Sequence, residues 1–189
     1  MRIILTPVFF FLFLTGEPLY IQISLVVYLI AAVTDWYDGW LARKFNYITE
    51  WGKFLDPLAD KILTSGAFLA FVFIGVLDLW MVLVIILRDF LITGLRVYAD
   101  FKKRSFTTSV LAKWKTFIQM AFIYYLLLFY TLRTVEYLNK NYTEFFNAVL
   151  NRHLIYWSML VVTLFTVVTG VMYLFSNRKL ISKLTKVEN

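Results

Sequence analysis

The sequence predicts an all-α integral membrane protein with six transmembrane helices. Three observations carry this prediction. Hydrophobic residues make up 61% of the 189-residue chain and mean hydropathy is +0.72, whereas a soluble domain is nearer half apolar. The apolar residues fall in long runs, as membrane spans do. The basic residues, which give a net charge of +7, flank those runs on one side. A single domain over residues 1–189 is expected, with a basic tail from about residue 176.

The first span runs from about Ile3 to Leu14, short against the ~20 residues of a full crossing. Gly16-Glu17-Pro18 makes a turn. The second span covers about Leu19 to Arg43, and Lys44 to Trp51 is a polar loop. The third covers about Gly52 to Ile74 and ends in a tight turn from Gly75 to Leu79. The fourth covers about Trp80 to Phe101, followed by the basic loop Lys102-Lys103-Arg104-Ser105. The fifth covers about Ser109 to Leu132. A polar stretch from Arg133 to Arg152 leads to the sixth, about His153 to Phe175.

Charge orients this arrangement. Arg2, Arg43, Lys44, Lys53, the Lys102–Arg104 cluster, Lys113, Lys115, Arg178, Lys179, Lys183 and Lys186 share one side. Only Arg133, Lys140 and Arg152 lie on the other, mixed with Glu17, Asp78, Glu136 and Glu144. The bias and the even number of spans place both termini in the cytoplasm. The excess positive charge is read as topology and anionic-lipid contact, with no nucleic-acid partner. No cleavable signal peptide is expected, because the first apolar run lacks a basic leader beyond Arg2 and a small-residue cleavage site.

There is no cysteine and one histidine, His153. Disulfides, thiolate sites and multi-histidine sites within one chain are excluded. Any metal must be held mainly by oxygen, which favours magnesium or manganese. His153, on the opposite side from the bulk of the basic residues, is read as interfacial. The Trp and Tyr residues read as packing or membrane-belt positions.

Charges inside spans are costly, about 2.5–3.5 kcal/mol each on insertion scales, and they mark function. Asp35, Asp38, Asp56, Asp60, Lys61, Arg88, Asp89 and Arg96 all lie in or at the ends of spans. Asp35 and Asp38 are three apart and share a helix face; Asp56 and Asp60 are four apart and do the same. The two helices are consecutive and antiparallel, so the faces converge. Four carboxylates together repel one another unless cations neutralise them. Two divalent ions ~3.5–4 Å apart would clamp a phosphoryl group. Gly39, Ala42 and Gly52 follow the same stripes, leaving room for a ligand or for close helix packing. Lys61 balances the acidic cluster.

These residues spell Asp35-x-x-Asp38-Gly39-x-x-Ala42-Arg43, then eight residues, then Gly52-x-x-x-Asp56-x-x-x-Asp60. The pattern resembles the signature of the CDP-alcohol phosphatidyltransferases at every fixed position. Ala31 to Trp36, Leu55 to Lys61, Arg88-Asp89-Phe90 and Lys113 to Thr116 further resemble the bacterial phosphatidylglycerophosphate synthase branch. The resemblance runs from Arg2 to about Tyr173. It implies the six-helix fold of that family, a homodimer in the bacterial cytoplasmic membrane and a site open to the cytoplasm. It implies attack of an alcohol on CDP-diacylglycerol with release of CMP, the alcohol in this branch being sn-glycerol 3-phosphate. By resemblance, Asp35, Asp38, Asp56 and Asp60 hold two Mg2+ or Mn2+ ions, and Asp60 is the base for the acceptor hydroxyl. Asp38, Gly39, Ala42, Arg43 and Gly52 would take the cytidine diphosphate part. Members usually carry a polar Asn- and Thr-containing amphipathic segment before the residue matching Arg2; this sequence starts almost at that arginine.

A phosphorylated acceptor needs cations. Arg88 and Arg96, eight apart on one span, share a face. With Lys113, Lys115 and the hydroxyl of Thr116 they form the expected acceptor-phosphate site. The competing readings are an ion pair of Arg88 with Asp89 or another carboxylate, and flanking charge for Lys113 and Lys115. At the level of function the alternatives are a family member using serine, inositol phosphate or phosphatidylglycerol, and a cation transporter. A transporter would explain the carboxylates but not Ala42-Arg43 and Gly52. A passive scaffold would need no buried charge.

Overall fold

A computed structural model describes residues 1–45, 50–102, 110–178 and 181; side chains at 35, 36, 38, 39, 42, 43 and 50–55 fall outside that description. All regular structure among the described residues is helical. The elements are α1 (Arg2–Leu14), α2 (Pro18–Phe45), α3 (Glu50–Phe73), α4 (Leu79–Phe101), α5 (Val110–Arg133), α6 (Glu136–Asn141), α7 (Thr143–Val149) and α8 (Arg152–Ser176).

The turns follow from local chemistry. Gly16 takes φ +74° just past α1, where a side chain would be strained. Pro18 opens α2, the helical position whose missing N–H costs nothing. At the end of α3, Gly75 has φ +75°. Its N–H reaches the Val72 carbonyl at 2.9 Å and the Val76 N–H reaches Phe71 at 2.9 Å, which closes the helix in a Schellman motif. These two turns and the long α6–α7 connection lie at one end of the bundle.

The core is aromatic. Phe9 and Phe13 of α1 pack against Tyr28 of α2, Phe71 of α3 and Tyr130 of α5, with ring centroids 5.1–5.7 Å apart. Phe68, Ile123, Leu126, Leu127 and Met159 complete the buried centre. Small residues let α3 approach α1: Ala67 and Ala70 are fully buried, and a Cβ added at Gly66 would lie 2.6 Å from Thr6 Cγ2. The outer faces are apolar as well, with Leu87, Phe117, Val161 and Phe175 among many exposed large side chains. A monomer in water rarely exposes so much contiguous apolar surface, and a lipid-facing helix requires it.

Five of the expected spans coincide with helices of 23 to 28 residues, and the first with the 13 residues of α1. Among the described residues, two stretches are both long and apolar enough to cross a membrane: Val110–Arg133 and Thr143–Ser176. The second takes in α7 and α8, which separate at the C-cap Leu150 and the N-cap Asn151. Arg2–Leu14 and Pro18–Thr34 are apolar but shorter. α3 and α4 have sufficient length, and what lowers their hydropathy is the charge they carry, in the first half of α3 and from the middle of α4 onward. The polar stretch from Arg133 to Arg152 contains the short helices α6 and α7. Its polar residues mask a few apolar anchors: Phe146 is buried, and the Tyr125 hydroxyl donates to the Val149 carbonyl.

Candidate active site

The charged residues collect at mid-height in the bundle, on the side away from the two glycine turns. α3 presents Asp56 and Asp60 one turn apart. Asp56 is exposed and Asp60 about one-third exposed. Pro57 sits between them and has no N–H to give the carbonyl four residues earlier. Arg2, the first residue of α1, is buried against this face. Its Nη1 donates to Asp60 Oδ1 at 3.3 Å and its Nη2 to the Asp56 carbonyl at 3.4 Å. The Thr6 hydroxyl donates to the Arg2 carbonyl at 2.8 Å, and the parallel run of α1 beside α3 carries Arg2 to the acidic end.

From Asp60 the ion pairs continue inward. Lys61 Nζ lies 3.7 Å from Asp60 Oδ2 and 3.5 Å from Asp89 Oδ2. Asp89, near the middle of α4's 23 residues, is almost completely buried at 3% exposure. Two more cations meet its Oδ1: Arg88 Nη1 at 3.1 Å, and the ammonium of Lys115 on α5, itself 1% exposed. Arg88 also reaches across to α8, where its Nη2 donates to Thr169 Oγ1 at 3.2 Å. One buried carboxylate thus faces three cations from three helices, one of which, Lys61, is shared with Asp60. Burying charge is expensive unless partners compensate it; among the described residues Arg88 and Lys115 have Asp89 as their one carboxylate partner, a local positive excess that suits an anionic ligand.

The expected site residues separate into groups. Asp56 and Asp60 share a face of α3, as the spacing predicts. Asp35, Asp38, Gly39, Ala42 and Arg43 lie on the C-terminal half of α2, and Gly52 near the start of α3; their side chains fall outside the described residues. Among the described residues no three His, Cys, Asp or Glu side chains form a group able to hold a metal. The described donors, Asp56 and Asp60, are carboxylate oxygens open to solvent, which suits a hard divalent cation.

The acceptor-site expectation divides in the same way. Arg88 and Lys115 come together through Asp89. The reading of Arg88 as an ion-pair partner of Asp89 therefore describes what it contacts. For Lys115 the flanking-charge reading is overturned, since the side chain turns into the bundle rather than toward the membrane surface. Lys113 is exposed, and neither it nor Arg96 forms an ion pair among the described residues. Thr116 Oγ1 donates at 3.3 Å to the Ala112 carbonyl of its own helix. Two contributors escaped the sequence reading as site residues. Arg2 counted only toward topology, though its burden of charge at the head of an apolar helix was a signal. Thr169 gave none, because a threonine in an apolar helix is unremarkable until its partner is known.

Residues 1–168 match the family model described as CDP-alcohol phosphatidyltransferase. The chain is 45% identical over 103 residues to the CDP-diacylglycerol–glycerol-3-phosphate 3-phosphatidyltransferase of Bacillus subtilis (strain 168), covering 54% of this chain and 53% of that protein. It is 39% identical over 119 residues to the protein of the same name from Rickettsia bellii (strain RML369-C), covering 63% and 66%. With that of Wigglesworthia glossinidia brevipalpis it shares 38% identity over 135 residues, covering 67% and 71%. The matched stretch thus spans between about half and two thirds of the length of the first two.

Proposed function

The chain belongs to the CDP-alcohol phosphatidyltransferase family, and from that premise we propose that it transfers the phosphatidyl group of CDP-diacylglycerol to sn-glycerol 3-phosphate. The products are phosphatidylglycerophosphate and CMP. The observation that carries the choice of acceptor is the cation excess around Asp89, beside the carboxylate-bearing face of α3. This positive excess complements a phosphomonoester, which carries about −1.5 to −2 near neutrality. Serine has no such group. The names of the relatives agree with this reading.

Asp35, Asp38, Asp56 and Asp60 would hold Mg2+ or Mn2+, two ions for four carboxylates. When bound, the metal offsets the pyrophosphate charge and the charge that develops on departing CMP. The residues of the chain do the rest. Asp38, Gly39, Ala42, Arg43 and Gly52 seat the cytidine diphosphate group. Val26, Leu29, Ile30 and Val33 leave an apolar strip on α2 below Asp35, so the acyl chains can stay in the bilayer.

Lys61 and Arg88, the partly exposed members of the cation group, face the acceptor phosphate, and Lys115 supports them from behind. Arg96, Lys113 and Thr116 stand at the cytoplasmic approach. Asp60 accepts the proton of the attacking hydroxyl. The new P–O bond forms at the phosphatidyl phosphorus as the bond to CMP breaks, and the electron pair leaves on the CMP phosphate. Arg2, which donates to Asp60 and to the Asp56 carbonyl, holds the Asp60 carboxylate in place. The site and both termini face the cytoplasm of a bacterium, and the protein works as a homodimer in its inner membrane.

The test supplies purified protein with labelled CDP-diacylglycerol, magnesium or manganese, and a panel of glycerol 3-phosphate, serine, inositol phosphate and phosphatidylglycerol. Lipid product with glycerol 3-phosphate, lost in Asp56→Asn, is expected. Turnover with serine alone would remove the acceptor assignment. Absence of CMP release with every acceptor would remove the enzymatic reading, and metal-dependent cation flux in vesicles would replace it with transport.

A further inference from the structure

We propose that Thr169 and Gly170 on α8 are positioning residues for the acceptor end of the site, acting through Arg88. The inference rests on the proposed role of Arg88 in binding the acceptor phosphate. Both residues lie just past the stretch matched by the family model, which ends at residue 168.

Thr169 is buried at 2% exposure. Its hydroxyl donates to the Phe165 carbonyl at 2.8 Å, with the Thr166 carbonyl at 3.0 Å. A hydroxyl has one proton and two lone pairs. Donation back into α8 therefore fixes the oxygen as an acceptor toward α4, where Arg88 Nη2 meets it at 3.2 Å. The adjacent Gly170 makes room for the same side chain. A Cβ there would lie 3.0 Å from both Arg88 Cγ and Arg88 Nε. The guanidinium is thus set from two directions, by Asp89 Oδ1 on its own helix and by the Thr169–Gly170 step across the interface.

A guanidinium offers five N–H groups in a rigid plane. With one Nη1 donor on Asp89 and one Nη2 donor on Thr169, the plane is fixed while other donors remain for a ligand. Preorganisation of this kind lowers the cost of binding. Without the α8 contacts Arg88 keeps its charge and its pairing with Asp89 but loses its orientation. The consequence should fall on acceptor binding rather than on nucleotide binding.

The experiment measures kcat and separate KM values for glycerol 3-phosphate and CDP-diacylglycerol in Thr169→Val, Thr169→Ser, Gly170→Ala and Arg88→Ala. Thr169→Val keeps the side-chain shape and removes the hydroxyl. It should raise KM for glycerol 3-phosphate about tenfold, the weight of one hydrogen bond to a charged group, and leave KM for CDP-diacylglycerol within about twofold. Thr169→Ser should restore the wild-type value. Gly170→Ala should match Thr169→Val with little change in thermal stability, since a flexible side chain can shift aside.

In the Arg88→Ala background neither substitution should add to the loss, as expected for residues acting through one group. Equal changes in both KM values, no change in Thr169→Val, or additive losses with Arg88→Ala would overturn the proposal. If Arg88→Ala alone left the acceptor KM unchanged, the acceptor site itself would be wrongly placed. If Arg88→Ala raised it and Thr169→Val did not, only the role of α8 would fall.

Discussion

Lys115 and Asp89 form an ion pair across α5 and α4 with almost no solvent exposure, 1% and 3% respectively. Charges so deep in a helical bundle are retained at a cost, and the contacts around Asp89 define an asymmetry between the two partners. Asp89 has two further cations to turn to, Lys61 and Arg88. Lys115 has no other carboxylate partner among the described residues.

Asp89→Asn should therefore damage the fold more than loss of Lys115. The substitution leaves Arg88 and Lys115 without a carboxylate partner among the described residues, and Lys61 with Asp60 alone. Breaking a buried pair from one side costs about 3–5 kcal/mol. Lys115→Met removes one charge from an excess and fills the space with an apolar chain, so it should cost less than half of that. The double variant Asp89→Asn/Lys115→Met should recover part of the single loss. Thermal unfolding of the purified protein in detergent decides the matter. A larger loss for Lys115→Met than for Asp89→Asn would contradict the charge balance drawn here.

This pair also marks where sequence reading reached and where it stopped. The helices and their ends were legible because apolar runs and the Gly16 and Gly75 turns obey local rules. The charged residues of the site were legible because each is out of place in an apolar span. Partnership was not. Lys115 stands at the entrance of its span, where flanking lysines are ordinary, and only the packing of α4 against α5 turns it inward. Thr169 was invisible for the same reason: its meaning depends on a helix 81 residues earlier in the chain. The helices α6 and α7 were missed because their anchoring contacts, such as Tyr125 to Val149, are tertiary.

Gly66→Ala should loosen α1 from α3. The added methyl would meet Thr6 Cγ2 at 2.6 Å, and that methyl cannot rotate away without breaking the Thr6 hydroxyl bond to the Arg2 carbonyl. Overpacking of this kind costs about 1–3 kcal/mol. Because Arg2 begins α1, displacement of the helix also draws its guanidinium from Asp60, so kcat should fall with stability. Thr6→Ser removes Cγ2 and keeps the hydroxyl, and in the Gly66→Ala background it should restore both. Failure of that rescue, seen in unfolding midpoints and turnover together, would argue against the close contact as the cause.

Chelation should silence the enzyme reversibly. With carboxylate oxygens as the donors on α3, EDTA is expected to reduce CMP release to background, and magnesium or manganese to restore it. Any activity that excess metal restores to Asp56→Asn should need at least about tenfold more metal for half-maximal rate, the scale of losing even an outer-shell partner. Lys113→Ala, an exposed position without an ion pair among the described residues, should leave that metal requirement unchanged. Full activity in EDTA would exclude the metal site.

The positive excess at Asp89 sets a pH dependence that belongs to the acceptor. A phosphomonoester holds its second negative charge above a pKa of about 6. Above that value the dianion matches the site. As pH falls through it the ligand becomes a monoanion, one site charge goes unmatched, and KM for glycerol 3-phosphate should rise. Titration of the protein could produce a similar curve, and changing the ligand distinguishes the two. The phosphonate analogue of glycerol 3-phosphate keeps its proton to higher pH. Its rise in KM, or in inhibition constant if it does not react, should appear at correspondingly higher pH. Identical profiles for phosphate and phosphonate would place the titrating group on the protein and leave the charge match around Asp89 without support.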